Sequence, residues 1–125
     1  MIIRSARFTE SLRVLQRSDA ELFEVVAADL RYLLARRRAA QLPQVRFGVR
    51  QSAFPETLGE VRSHVAGDER FIRTLFAMPS NEGCCAFLLM GDKNSSATEA
   101  RTGNDWYDTA IPLADALWRE ILPTP

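Results

Sequence analysis

Leu58-Gly59-Glu60-Val61-Arg62-Ser63-His64-Val65 opens a stretch that runs through the turn Gly67-Asp68 into Phe71-Ile72-Arg73-Thr74-Leu75-Phe76-Ala77-Met78. After Pro79-Ser80-Asn81-Glu82-Gly83 it continues as Cys84-Cys85-Ala86-Phe87-Leu88-Leu89-Met90. The first segment alternates. Val61 and Val65 fall on one face, and Glu60, Arg62 and His64 fall on the other. The second is rich in aromatic and β-branched residues, as strands are. The third is a continuous apolar run, which suits a strand covered on both faces. Three strands joined by short turns predict an antiparallel meander.

Working outward, Val45 to Val49 reads as a short strand and Gln51 to Thr57, with Pro55, as a loop. Further upstream, Ser18-Asp19-Ala20-Glu21 has the form of a capping box with Ser18 at the N-cap. Leu22, Val26, Leu30, Leu33 and Leu34 then recur on one helical face, and Pro43 stops the pattern. These signals predict a helix over about 18–40. Ile2 to Phe8 alternates loosely, as a short strand does, and Thr9 to Leu15 suits one or two helical turns with Thr9 as cap. Downstream, Gly91 to Asn104 reads as a polar loop. Pro112 interrupts the segment from Trp106 to Ile121, so its helix is expected to start near Thr109 to Ile111, with Pro112 in the first turn. Leu113, Ala114, Leu117 and Ile121 would be its apolar face. The order implies an α+β domain over residues 1–125: an N-terminal strand and helices packed on a twisted antiparallel sheet, with a C-terminal helix.

The 125 residues are 46% hydrophobic and 26% charged, which excludes a disordered or collagenous chain. Sixteen basic residues balance sixteen acidic ones, so a broadly basic nucleic-acid coat is not expected. The balance is uneven along the chain. Residues 1–50 carry ten Arg against five acids, and the remainder carries six basic residues against eleven acids. Lys93 is the sole lysine. Cys84 and Cys85 are neighbours whose side chains point to opposite faces of a strand, which disfavours a disulfide. No C-x-x-C pair or His-Cys cluster points to structural zinc, and no cofactor is expected. Neither a signal peptide nor a membrane span is legible, so a cytoplasmic location is expected.

Four groups of residues carry chemical potential. Glu60, Arg62 and His64 share one strand face, where a carboxylate, a guanidinium and an imidazole can serve as base, anion clamp and acid. An exposed charged sheet face has the same pattern. Arg73 stands inside an apolar strand and needs water or a partner, for instance Glu60 or Glu69. Gly91-Asp92-Lys93 ends the most apolar strand, a position where loops often carry function. Arg36-Arg37-Arg38, with Arg31, Arg46 and Arg50 near in sequence, can meet phosphates or simply end a helix favourably.

Leu58-Gly59-Glu60-Val61-Arg62 is similar to the L-x-E-L-R strand of the RelE/ParE toxin superfamily. Phe71-Ile72-Arg73-Thr74-Leu75-Phe76-Ala77 resembles that superfamily's hydrophobic strand with a central arginine. Leu88-Leu89-Met90-Gly91-Asp92-Lys93 resembles the L-L-x-G-G-D-K strand end of its phage-derived, HigB-like branch. Trp106-Tyr107-Asp108-Thr109-Ala110-Ile111-Pro112-Leu113-Ala114-Asp115 is similar to the branch's W-Y-x-x-A-I-P-x-A-D segment. The resemblance spans about residues 58–122. It implies the toxin of a bacterial type II toxin–antitoxin pair, held by a cognate antitoxin. It also implies endoribonuclease action on mRNA, in many relatives at the ribosome, by attack of a 2′-hydroxyl on the adjacent phosphate. By this resemblance Arg62 and Arg73 are the phosphate-facing cations. Lys93 is a second clamp or the proton-transfer residue, and Glu60 orients an arginine or acts as base. Met90 stands where the branch has a second glycine. A non-catalytic binder of the same fold, such as a gyrase inhibitor or a degenerate toxin, is the alternative.

Overall fold

The computed structural model describes residues 1–94 and 105–122. In chain order these form β1 (Ile2–Arg4), α1 (Ala6–Ser18), α2 (Ala20–Arg36), a 3-10 turn (Arg37–Ala39) and β2 (Val45–Phe47). Then come β3 (Leu58–Ser63), β4 (Ile72–Ala77), β5 (Cys85–Asp92) and α3 (Asp105–Ile121). The α+β class and the β3-β4-β5 meander agree with the sequence reading. The expected loop after Gly91 falls largely outside the described residues.

The five strands make one sheet in the order β1-β5-β4-β3-β2. The sheet is mixed rather than wholly antiparallel. β1 lies parallel to β5, with Ile2 opposite Cys85 and Arg4 opposite Phe87, while the other pairs are antiparallel. The two helices that follow β1 carry the chain away from it, so no hairpin imposes an antiparallel partner.

Register sorts the side chains into two faces. Val61, Ile72, Phe76, Met78, Cys85 and Phe87 meet Phe8, Leu15, Leu22, Val26, Leu30 and Leu33 of α1 and α2. On the opposite face, Leu58, Leu75, Ala77, Ala86 and Leu88 meet Ala110, Ile111, Ala114 and Trp118 of α3. Each fully buried Val, Leu, Ile, Phe or Met among them is worth about 1.5–3 kcal/mol. The sheet is thus sandwiched, and all six residues of β4 are buried. Cys84 and Cys85 are both free thiols, as their adjacency implies.

Helix boundaries depart from the sequence reading in four places. α1 starts at Ala6, where a strand was expected, because the Ser5 side chain caps it by accepting from Phe8 N–H. Phe8 and Leu15 then lie on one buried helical face. Ser18 closes α1 rather than capping α2, and Asp19 is the N-cap, accepting from Leu22 N–H at 3.0 Å. α2 ends at Arg36, because Arg37 takes a left-handed backbone at φ 53. At the other end, α3 begins at Asp105 and runs through Pro112. Pro112 and Asp108 are both exposed, so the carbonyl that Pro112 leaves unbonded sits on the water side of the helix. Its buried face centres on Ala110, Ile111, Ala114 and Trp118, with Leu113, Leu117 and Ile121 only half-buried.

Candidate functional site

α3 covers only part of its sheet face. Beyond its apolar contacts, the same face carries Glu60 and Arg62 on β3 and Arg73 on β4. Arg62 pairs directly with Arg73, and Arg46 of β2 pairs with Glu60. The alternation that placed Glu60 and Arg62 together therefore holds. The expectation that their face is open does not hold for Glu60, which is 1% exposed. Its carboxylate Oε1 accepts from Arg62 Nε at 2.8 Å and lies 3.8 Å from Arg46 Nε. Oε2 is buried as well.

Arg73 is buried too. Its Nε donates to the Tyr107 hydroxyl at 3.1 Å, and its Nη1 donates to the Ile72 carbonyl at 3.1 Å. Among the described residues no ion pair joins it to Glu60 or Glu69, the partners the sequence suggested. Tyr107 reaches this point because α3 starts hard against the end of β5. A Cβ at Gly91 would meet Trp106 Nε1 at 2.9 Å, so glycine is needed for that approach. Burial, then the negative charge of Glu60 and a hydrogen-bonding contact with its carboxylate, raise the Tyr107 pKa, with Arg73 pulling the other way.

Above this buried layer lies an open groove of about 730 Å³, lined by Arg46, Phe47, Gly48, Arg50, Gln51, Arg62, Lys93 and Tyr107. Four of these carry positive charge and none carries negative charge. Burial first, then the charges of Arg73 and Arg62, lower the Lys93 pKa, with Glu60 opposing. Arg62 and Lys93 thus line one groove, while Arg73 lies buried close to both and does not face it. Asp92 does structural work beside them: its Oδ1 accepts from the N–H groups of Phe71 and Asn94. β3 ends one residue short of His64, whose ring stacks on Phe71 instead of entering the groove.

The arginine cluster at the end of α2 divides. Arg46 and Arg50 join the groove, but Arg38 donates to the carbonyls of Met78 and Glu56 and lies over the Phe47 ring. Sequence reasoning grouped Arg46 and Arg50 with the wrong neighbours and gave Tyr107 no role. The signal for Tyr107 was its hydroxyl, which needs a polar partner when the ring is buried.

The arrangement can bind an anion with several guanidinium and ammonium donors at once. It holds one lysine whose ammonium releases its proton more readily than usual, which suits proton transfer. Among the described residues no group of three or more His, Cys, Asp or Glu is placed to hold a metal ion, and no helix is long and apolar enough to cross a membrane. No protein-family model, curated protein or solved structure matches the chain.

Proposed function

We propose that the chain is a cytoplasmic endoribonuclease of the RelE/ParE toxin kind, cleaving mRNA without a metal and held in check by a cognate antitoxin. The observation that carries this reading is the groove with four cations and no acid, set in a chain of zero net charge. Like charges gathered on one surface repel, and a phosphate relieves them. Arg46, Arg50 and Arg62 hold the RNA backbone. Arg62 and Lys93 face the scissile phosphate, and Arg73 adds its charge from beneath.

In this reading the 2′-oxygen bonds to phosphorus, the bond from phosphorus to the 5′-oxygen breaks, and Lys93 delivers a proton to that leaving oxygen. The 2′-hydroxyl proton passes to water. Glu60 acts through Arg62 and is a positioning residue, because its carboxylate is buried and bonded to Arg62. Few phosphates are neutralised overall, so bulk RNA affinity is weak. The ribosome is the delivery platform this favours.

The test is incubation with a defined mRNA, alone and on programmed ribosomes. Fragments with 2′,3′-cyclic phosphate and 5′-hydroxyl ends are expected, lost in Arg62→Ala and Lys93→Ala. Intact RNA under both conditions would sink the proposal. One observation favours a non-catalytic binder of the same fold, such as a gyrase inhibitor: Glu60 and Arg73 are both buried beneath the groove surface. Tight protein binding without RNA ends would establish that reading.

A further inference from the structure

Just past the Arg62–Arg73 pair, the next residues on that sheet face are His64 and Phe71. Their rings lie parallel, 4.0 Å between centroids and 4° between planes. His64 is exposed, so the imidazole face turned away from Phe71 meets solvent. Phe71 is tied to the groove: Lys93 Nζ stands 5.4 Å from its centroid and Arg73 Cζ 5.9 Å.

The pair is braced from several directions. Phe71 N–H donates to Asp92 Oδ1 at 3.0 Å, and its carbonyl accepts from Lys93 N–H at 3.0 Å. His64 Nδ1 lies 2.9 Å from the Arg70 carbonyl. Arg70 is itself clamped. Its Nε and Nη2 bond both carboxylate oxygens of Asp68, and Nη2 also reaches Asp19 Oδ2 at 2.6 Å. Asp19 is the N-cap of α2, so the turn between β3 and β4 is fastened to a helix. Three charged side chains thus immobilise a surface turn that presents a flat ring to solvent. A rigid aromatic face beside a cationic groove is the arrangement on which unpaired bases stack, since every base offers a π face while its phosphates follow the charge. Holding the face rigid beforehand lowers the entropy lost on binding.

We infer that the His64–Phe71 stack is a nucleobase platform: an unpaired RNA base next to the phosphate held by Arg62 and Lys93 packs on the open face of His64. This rests on the RNA reading of the groove. His64 is here a binding and positioning residue that sets which base sits beside the phosphate, and it takes no part in proton transfer.

The experiment uses the full chain and a short single-stranded RNA in which 2-aminopurine is moved one position at a time. Binding is followed by anisotropy over a salt series, and stacking by fluorescence quenching. Quenching at one position is expected in the wild type. His64→Ala is expected to abolish that quench and weaken binding about tenfold, with an unchanged salt slope. His64→Phe keeps the flat face and is expected to restore both. Arg62→Ala is expected to lower the salt slope instead. If His64→Ala binds and quenches like wild type while Arg62→Ala weakens binding, the platform is wrong and the RNA groove stands. If the wild type binds no RNA, both ideas fall together.

Discussion

Arg62 and Arg73 occupy directly opposed positions on β3 and β4, a like-charged pair on the side of the sheet that α3 partly covers. Such a pair weakens a sheet. The chain tolerates it by different means at each end. Arg62 is bonded to the buried Glu60 carboxylate, and Arg73 gives its hydrogen bonds to neutral oxygens of Tyr107 and Ile72.

The two arginines should therefore respond oppositely to removal. Arg62→Met strips Glu60 of its near partner and leaves only Arg46 at 3.8 Å. With Arg62 about one-third exposed, water softens the loss, and a fall of about 1–2 kcal/mol is expected. Arg73→Met removes a buried charge from beside two others and should leave stability unchanged or raise it by up to about 1 kcal/mol. Both variants should lose affinity for RNA or inorganic phosphate. Urea unfolding of each, paired with anion titration, checks the claim. Equal destabilisation by both would refute it.

Lys93 supplies a pH signature. Its pKa in the folded chain lies below the ordinary 10.5, through burial and then the charges of Arg73 and Arg62. Between the folded and unfolded values the unfolded chain holds more protons, so this group makes stability rise with pH across that window. At neutral pH its charge works against the fold. Lys93→Met should therefore melt higher than wild type at pH 7 and show a smaller gain on approaching pH 10. Added phosphate should stabilise wild type more than the variant, because the anion binds the folded groove. Thermal melts at two pH values, with and without phosphate, measure both effects.

The meander and its charged face were legible because alternation along a strand is local information. Glu60, Arg62 and Arg73 reach one face through a period of two and a register set by short turns. The misreadings come from effects that sequence spacing does not carry. Ile2 to Phe8 fits a strand as well as a helix start until Ser5 is seen capping Phe8 N–H. Pro112 stands mid-helix because its missing bond falls on the wet side. Glu60 is sealed because α3 and Arg62 close over it. The groove draws on β2, the segment after it, β3, the end of β5 and α3, so no single window of sequence contains it. Arg50 and Tyr107 are far apart in the chain, and only the folded sheet makes them neighbours.

Tyr107 joins α3 to the charged layer through one hydroxyl. Tyr107→Phe leaves Arg73 Nε buried without its acceptor, and a loss of about 1–2 kcal/mol is expected. The groove cations stay in place, so the salt dependence of RNA binding should not change. Cleavage should fall, because the Arg73 charge beneath the groove is no longer fixed in place. Unfolding curves and cleavage rates on the same preparation separate the two effects. Undiminished stability would mean the hydroxyl contributes nothing to holding Arg73.

Thr74 offers a control on the other face of the same strand. It is completely buried, pairs with Val61, and packs on the side of the sheet that faces α1 and α2. Its Oγ1 has no hydrogen-bond partner among the described residues, so the folded chain carries an unrelieved desolvation penalty there. Thr74→Val replaces that hydroxyl by a methyl of similar size and should stabilise by about 1 kcal/mol. The urea midpoint should rise with no change in slope, as expected when stability alone changes. Because the side chain points away from the groove, affinity for phosphate and any cleavage activity should remain those of wild type. A loss of stability instead would show that the hydroxyl is bonded, for example by a buried water, and that this layer of the core is polar by design of the sequence rather than by tolerance.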